Sequence, residues 1–361
     1  MSGLKAKLAE RPKPAAAEVY EIDPLQDPRW VEFVRTHPDA SVFHTRNWLS
    51  ALRAEYGYLP SVFCTSRGGA RITDAVVFCR IHSWLTGKRI VSLPFSDHCE
   101  PLVSSPECLD PILQRLRAEL QAKGLKYLEL RPINQGVGPN RGFRESSTYV
   151  WHSIDLSRTG KALFQSFDKD CVQRRIRRAE RESLDYEVGN SEELLKRFFT
   201  LFVTTRRRHY LPPQPYSWFR HLSRAFGNQL QIRLISYKGR PISTTLTLAH
   251  AQTVAYKYGG SDARFNYLGA TPLLFWRTIQ EAQSQGFTRM DLGRSNLDSA
   301  GLIKFKENWG AQRRTLQYFQ AGALTGFELG PAARFLRRLV CPVAPQWSLI
   351  ALGNMLYRHL G

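Results

Sequence analysis

The sequence predicts two α/β domains of similar build packed together, with mixed, mostly antiparallel sheets and a helical appendage at the C-terminal end. Three observations carry this. The 361 residues suffice for two domains, each with its own core. A hydrophobic content of 43% with eight tryptophans argues for a packed globular chain. The order of elements also recurs, although no residue-level repeat is visible. Each half reads as helices, three strands, a helix stopped by glycine, and one more strand.

Residues 1–17 are basic, lack an apolar stretch and a cleavage site, and read as a mobile arm, not a secretory leader. Short amphipathic helices are expected at Val31–Val34 and Trp48–Tyr56, with Thr45 or Asn47 placed to cap the second. β-Branched and aromatic residues alternate at Pro60–Thr65, Ile72–Ile81 and Arg89–Leu93, which predicts three strands. Leu109, Ile112, Leu113, Leu116 and Leu120 give Pro106–Lys123 a helical period that Gly124 stops. Leu125–Arg131 is then a buried strand.

The second half repeats this grammar. Trp151–Leu156 predicts a strand and Thr159–Ser183 one helix. Ser191–His209 predicts another, with Ser191 as N-cap and Glu192 and Glu193 in the first turn. Pro212 and Pro213 break the pattern before a helix at Trp218–Phe226. Strands follow at Leu230–Tyr237, Arg240–Ala249 and Thr253–Gly259, with Lys238-Gly239 in the first turn. Thr271 as N-cap, Pro272 at N1 and Gly286 as stop define a helix over Thr271–Gln285. Thr288–Leu292 and Thr315–Ala321 are the last strands. The expected division is an arm at 1–17, domains at 18–147 and 148–325, and a helical segment at 326–361. In that segment Phe335, Leu336, Leu339 and Val340 share a face opposite Arg334, Arg337 and Arg338. Trp347–Leu360 is apolar but for Arg358 and His359. Such a segment either docks on the domains or rests peripherally on an anionic membrane.

No window approaches 18 uninterrupted apolar residues, so no spanning helix is expected. Six cysteines without CxxC or zinc-type spacing predict reduced thiols in a cytoplasmic protein with no metal site. The charge is more informative. Lys and Arg number 51 against 31 Asp and Glu, a formal +20. That excess favours polyanionic partners: tRNA, phosphorylated or nucleotide-linked substrates, or an anionic membrane face. A generally arginine-rich composition is the alternative explanation.

The chemistry concentrates in Arg289-Met-Asp-Leu-Gly-Arg-Ser-Asn and the helix beginning near Gly301. Asp291, Arg294 and Ser295 stand at the C-terminal end of a strand, where α/β proteins place ligands. Lys304, Lys306 and the free N–H groups of the helix can face the same anionic or carbonyl-bearing ligand. Arg294 suits a phosphate or carboxylate, and Asp291 is a base or the partner of Arg294 or Lys306. Asp97-His98-Cys99-Glu100 ends a strand in the first half, and His98 is a candidate general base. Arg174, Arg177, Arg178 and Arg181 form one helical stripe suited to phosphates, or simply a solvated face. Thr205-Arg-Arg-Arg-His209 adds a second cluster, in which Arg207 and His209 are candidates for the acceptor cleft. No Ser-His-Asp or Cys-His arrangement is visible, so direct transfer without a covalent intermediate is the simpler expectation.

Met290-Asp-Leu-Gly-Arg-Ser and Gly301-Leu-Ile-Lys-Phe-Lys-Glu-Asn-Trp-Gly-Ala311 resemble the C-terminal signature of the Fem-type transferases, tandem-GNAT acyl and aminoacyl transferases. The likeness extends to the relatives found with exopolysaccharide genes, described as BioF2-like acetyltransferase domain proteins. Leu93-Pro-Phe-Ser-Asp-His-Cys-Glu-Pro-Leu102, Cys171-Val-Gln-Arg-Arg-Ile-Arg-Arg-Ala-Glu180 and Tyr258-Gly-Gly-Ser-Asp262 support it. The resemblance spans roughly residues 40–320, with the second half the better match. It implies two GNAT-like domains and Lys306 near the transferred carbonyl with Phe305 beside it. It also implies that the two domains sandwich the acceptor, and Asp97, Tyr258, Ser261, Arg294 and Ser295 are candidates for binding the substrate. The donor it implies is an acyl-CoA or an aminoacyl-tRNA, with no permanently bound cofactor, and the acceptor an amine or hydroxyl of a cell-envelope or exopolysaccharide precursor.

One departure bears on the donor. An acetyl-CoA loop has Arg or Gln, two residues, Gly, one residue, then Gly or Ala, whereas Arg264-Phe-Asn-Tyr-Leu-Gly-Ala places Gly269 too late. Gly269, Ala270 and Thr271 still open a helix able to bind phosphate. Acetyl-CoA-dependent N-acetylation is the competing enzymatic expectation. A non-catalytic tRNA- or polyanion-binding protein is the competing one of another kind.

Overall fold

The computed structural model describes residues 18–67, 71–134, 136–323 and 345–360. The expected basic arm and the 334–340 helical face lie outside them. In the first half β1 (Tyr20–Ile22) precedes α1 (Pro28–Thr36) and α2 (Arg46–Tyr56). These lead to β2 (Leu59–Arg67), β3 (Arg71–Ser83), β4 (Gly87–Val91), α3 (Leu109–Ala122), β5 (Tyr127–Leu130) and β6 (Arg144–Asp155). A connecting stretch holds α4 (Gly160–Ser166) and α5 (Arg174–Ala179). The second half runs β7 (Leu184–Gly189), α6 (Glu192–Arg208), α7 (Tyr216–Phe226), β8 (Leu230–Tyr237), β9 (Arg240–His250) and β10 (Thr253–Ser261). It continues with α8 (Ala270–Ser284), β11 (Arg289–Asn296), α9 (Ala300–Glu307) and β12 (Gln312–Gly322). The described chain ends in α10 (Gln346–Leu360).

All twelve strands share one sheet, in the order β1-β2-β3-β4-β5-β12-β6-β11-β10-β9-β8-β7. Read from either edge the order is the same repeat, with β1 to β5 answering β7 to β11. At the centre the last strands are exchanged: β12 pairs antiparallel with β5, and β6 with β11. β12 and β6 then pair with each other. The expected boundary at 147/148 therefore cuts through β6, a strand that serves both halves. Among the described residues only β4–β5 and β10–β11 are parallel, and each pair is in register for just three residues.

The helices of the two halves meet on one face, where Trp48 of α2 lies edge-on to Trp218 of α7 at 5.3 Å. The apolar core there runs unbroken from α1 and α2 to α6 and α7. α3 and α8 cover separate cores. Caps account for the boundaries. The Thr45 side chain accepts from Trp48 N and that of Ser191 from Leu194 N. Lys238 and Gly239 both take positive φ (50° and 73°), the requirement of the tight β8–β9 turn.

Two expectations are corrected. Thr159–Ser183 is not one helix. Phe167 turns extended to bury its ring, and the Asp168 carboxylate accepts from Asp170 N and Cys171 N, starting a new wide turn ahead of α5. Leu184–Gly189 then joins the sheet edge as β7. Thr271 is not the cap of α8 either. Gly269 holds that position at φ +73°, and Thr271 bonds Ser243 from inside the first turn (2.9 Å).

α10 straddles the halves. The Tyr58 hydroxyl donates to the Arg358 carbonyl (3.0 Å), and Thr86 and Arg89 donate to the His359 carbonyl (both 2.9 Å). Arg206 of α6 reaches the Tyr357 hydroxyl (2.7 Å). Gly353 packs so tightly on the Pro213 carbonyl that any side chain would collide with it.

Candidate active site

The sequence of β11 builds the site by breaking its own ladder. β11 pairs with β6 up to Asp291↔Ser153 and resumes at Arg294↔Trp151, leaving a bulge at Leu292-Gly293. Gly293 takes φ +68°, and its Cα lies so close to the Asp97 carboxylate that an added Cβ would sit 3.1 Å from Cγ. On the other side, β10 follows β11 only from Thr253↔Arg289 to Ala255↔Asp291, then diverges.

The bulge gathers a polar nest. Asp291 Oδ2 meets His98 Nε2 at 2.8 Å, while Oδ1 accepts from Trp151 Nε1 and Gly293 N, both at 2.7 Å. The expected pairing of Asp291 with Arg294 or Lys306 does not occur. With three donors on its two oxygens, buried Asp291 is placed to orient the groups around it. Its carboxylate orients the His98 ring through Nε2, and Nδ1 on the other side is buried with no protein partner.

Asp97 pairs instead with Lys257 (2.7 Å). Lys257 is the extra residue of a second bulge, in β10 between Tyr256 and Tyr258. Its ammonium lies 5.0 Å from the centre of the Phe43 ring and 5.7 Å from that of Trp48. Burial alone would raise the Asp97 carboxyl, but Lys257, backed by Arg294 and Lys306, holds it below its ordinary value. Lys306 is 4% exposed and donates to the carbonyls of Gly293 (2.9 Å) and Arg294 (3.1 Å). Burial pushes its ammonium down to about 8, against the opposing pull of Asp97 and Asp291. Arg294 stacks on Tyr149 at 4.1 Å and Tyr318 at 5.1 Å. Its Nη1, like Ser295 Oγ, has no protein partner.

The loop that supplies Asp97 and His98 is strained. Leu93 and Phe95 both take left-handed φ (67° and 60°), unusual for such side chains. Arg131 pins the loop by donating to the carbonyls of Leu93 (2.9 Å) and Ser96 (3.2 Å), and the Tyr318 hydroxyl donates to that of Asp97 (2.7 Å).

A cleft of about 400 Å³ opens beside the C-terminal end of β10, between α5, the start of α8 and α9. Among its lining residues are Arg175, Ser261, Phe265, Thr271, Lys304 and Phe305. α9 thus has two faces. Lys304 and Phe305 front the cleft, whereas Lys306 points back into the nest. An adjoining arginine pocket shares Arg175 and Asn266 with the cleft and adds Arg174, Arg178 and Tyr267.

The remaining candidates divide. Ala270 and Thr271 line the cleft, but Gly269 lies beneath α5, where its Cβ would meet the Arg175 carbonyl at 2.4 Å. Arg177 falls in a different depression beside Phe164 and Trp276, so the expected stripe serves two surfaces. Tyr258 accepts from Trp218 Nε1 (2.9 Å) and belongs to the aromatic core. Arg207 and His209 stand at the end of α6, which is tied to Ser261 through Thr205 (2.8 Å). Sequence reasoning passed over Lys257, Trp151, Tyr149, Tyr318 and Arg131. Lys257 carried a signal, as a lone lysine between two tyrosines in a strand that is otherwise free of charge.

The mixed sheet with its short parallel pairs, and a cleft beside the end of β10 at the start of the following helix, is the architecture of a GNAT-type protein. Residues 169–307 match the family model described as an acetyltransferase (GNAT) domain, so the second half carries such a domain. An 88-residue stretch is 28% identical to a UDP-N-acetylmuramoylpentapeptide-lysine N(6)-alanyltransferase of Weissella viridescens. That stretch covers 24% of this chain and 26% of the relative. Among solved structures, the crystal structure of FemX superposes with a TM-score of 0.68 at 14% identity, covering 90% of this chain and all of that one. A tandem GNAT protein from the clavulanic acid biosynthesis pathway gives 0.55 at 10%, covering 86% and 100%. These two likenesses establish the tandem fold.

Proposed function

We propose that the protein is an acyltransferase that moves an aminoacyl or acyl group from an activated donor directly onto an amine of a cell-envelope precursor. The observation that carries this reading is the cleft between the end of β10, the start of α8 and α9, basic and aromatic on its walls, with Lys306 buried on the side of α9 that faces the polar nest. The pseudo-equivalent depression in the first half has Asp39 and Glu100 in its wall instead. An anionic donor therefore belongs to the second half. An aminoacyl-tRNA suits the cleft and its arginine annex, whose Arg174, Arg175 and Arg178 would meet successive phosphates. Acyl-CoA is the competing donor, and the tight Gly269–Arg175 contact stands against a pyrophosphate at the start of α8. Peptidoglycan and exopolysaccharide precursors are both acceptors of the required kind.

In this mechanism the acceptor amine gives its proton to His98 Nδ1 as its nitrogen bonds the donor carbonyl carbon. The C–O bond to the tRNA, or the C–S bond to coenzyme A, then breaks and the leaving group recovers the proton. Lys306 supplies positive charge towards the developing oxyanion. Asp97, which Lys257 keeps as a carboxylate, orients the incoming amine by accepting one of its N–H groups.

Thermal shift with acetyl-CoA, a longer acyl-CoA, charged tRNA and uncharged tRNA tests the donor. Stabilisation by charged over uncharged tRNA is expected, and stabilisation by a coenzyme A ester alone would transfer the reading to N-acylation. Turnover assays of Lys306→Ala then separate enzyme from binder. A loss on the order of 100- to 1,000-fold in kcat with retained donor binding is expected; unchanged turnover removes Lys306 from the mechanism.

A further inference from the structure

α10 has two apolar sides, and among the described residues only one of them packs on the protein. Leu349 and Gly353 face the protein, whereas Trp347 (72% exposed), Leu352 and Met355 face outward. The β3–β4 turn extends this surface. Trp84, 84% exposed, lies edge-on to His359 at 5.3 Å, and Leu85 is exposed beside it. A run of large exposed apolar side chains with a tryptophan at each end is unusual on a soluble surface. It is also ringed by cations. Lys88 stands on β4 directly after that turn, paired in register with His82, and Lys126 packs against Gly87. Arg358 is exposed on the outward side of α10. Among the described residues, none of these three cations has a carboxylate partner within 4.0 Å. Helix α10 contains no acidic residue.

We propose that this face, the outward side of α10 with the β3–β4 turn, is a docking surface for a bilayer containing anionic phospholipid. Tryptophans at the two ends suit the headgroup boundary, Leu352 and Met355 enter the acyl region, and the cations meet lipid phosphates. Charge complementarity selects this occupant over a second copy of the chain, which would bring the same cations together. The surface is also coupled to the site. Tyr357 on the inner side of α10 contacts Phe95 (ring centres 5.8 Å apart), two residues before Asp97. A precursor held in the membrane would thus be delivered beside the loop that carries Asp97 and His98. The inference stands independently of the acyl-transfer reading, because lipid binding requires neither donor nor acceptor.

The test is co-sedimentation of the full chain with vesicles of phosphatidylglycerol and phosphatidylcholine in equal parts, against vesicles of phosphatidylcholine alone. Binding to the first and a marked loss on the second is expected. Lys88→Gln combined with Lys126→Gln, both exposed and remote from the core, should weaken binding about thirtyfold. Trp347→Ser combined with Met355→Ser should weaken it further, without changing the thermal transition. Equal binding to neutral vesicles, or insensitivity to both double variants, overturns the proposal. So does an absence of vesicle binding together with a dimer in sedimentation that Trp347→Ser and Met355→Ser dissolve, which would make the face a self-interface.

Discussion

Lys306 and Lys257 are two buried ammonium groups with different supports. Lys306 has only carbonyls as direct partners, so its burial is only partly offset by the more distant Asp97 and Asp291, and its affinity for a proton falls to about 8 from 10.5. The folded chain therefore binds fewer protons at this site than the unfolded chain between those values. Its stability should climb with pH across that window relative to Lys306→Met, by about 3 kcal/mol at most. Denaturant midpoints of both proteins at pH 7 and above pH 10 check this, and a constant difference would mean that Lys306 is not depressed. Activity should run the opposite way, falling as pH rises through about 8 and the charge is lost. Lys257 has a carboxylate. Lys257→Met would leave Asp97 buried and unpaired, at a cost of about 3–5 kcal/mol, and Asp97→Asn in the same chain should recover most of it. A double-mutant cycle by thermal unfolding measures the coupling. Of these two lysines the sequence announced one. Lys306 follows a recognisable strand-loop-helix string, whereas Lys257 meets Asp97 across 160 residues of chain, a pairing that no local pattern encodes.

The elements show where periodicity misleads. α4 and α5 read as one helix because Leu163, Val172, Ile176 and Ala179 keep an apolar face throughout, yet a single Asp168 restarts the chain between them. That break sets α5 across the start of α8, where Gly269 has both a positive φ and a neighbouring carbonyl that leaves no room for a side chain. Gly269→Ala should therefore strain the junction twice over and lower the melting temperature by several degrees. Gly286→Ala, strained in φ but open in space, should cost less. The arginines of α5 belong to the same junction. Arg174→Gln with Arg178→Gln should reduce the salt slope of tRNA binding by about two, whereas Arg177→Gln, in its separate depression, should leave the slope intact. Strands and caps were largely readable, since Thr45, Ser191 and the Lys238-Gly239 turn act through neighbours in sequence. β1 and β7, short and at opposite sheet edges, were not readable, because pairing and not composition makes them strands.

At the scale of the molecule, the recurring order of elements was legible and the exchange of β6 and β12 was not. Nothing local distinguishes a last strand that closes its own half from one that closes the other. The exchange makes the halves thermodynamically one, because removing β12 would leave both β5 and β6 with an open edge. Calorimetry should accordingly give a single transition with matching calorimetric and van't Hoff enthalpies. Two resolved transitions would show that the shared core of α2 and α7 and the exchanged strands do not couple.

The exchange also governs how the chain can be born. β5 leaves the ribosome with one edge open, and its proper neighbour β12 is synthesised roughly 180 residues later, about ten to forty seconds at ordinary elongation rates. Throughout that interval the nearest strand on offer is β6, antiparallel-competent and close in sequence, but wrong. Folding must either keep β6 waiting or pull it away again to admit β12 between them.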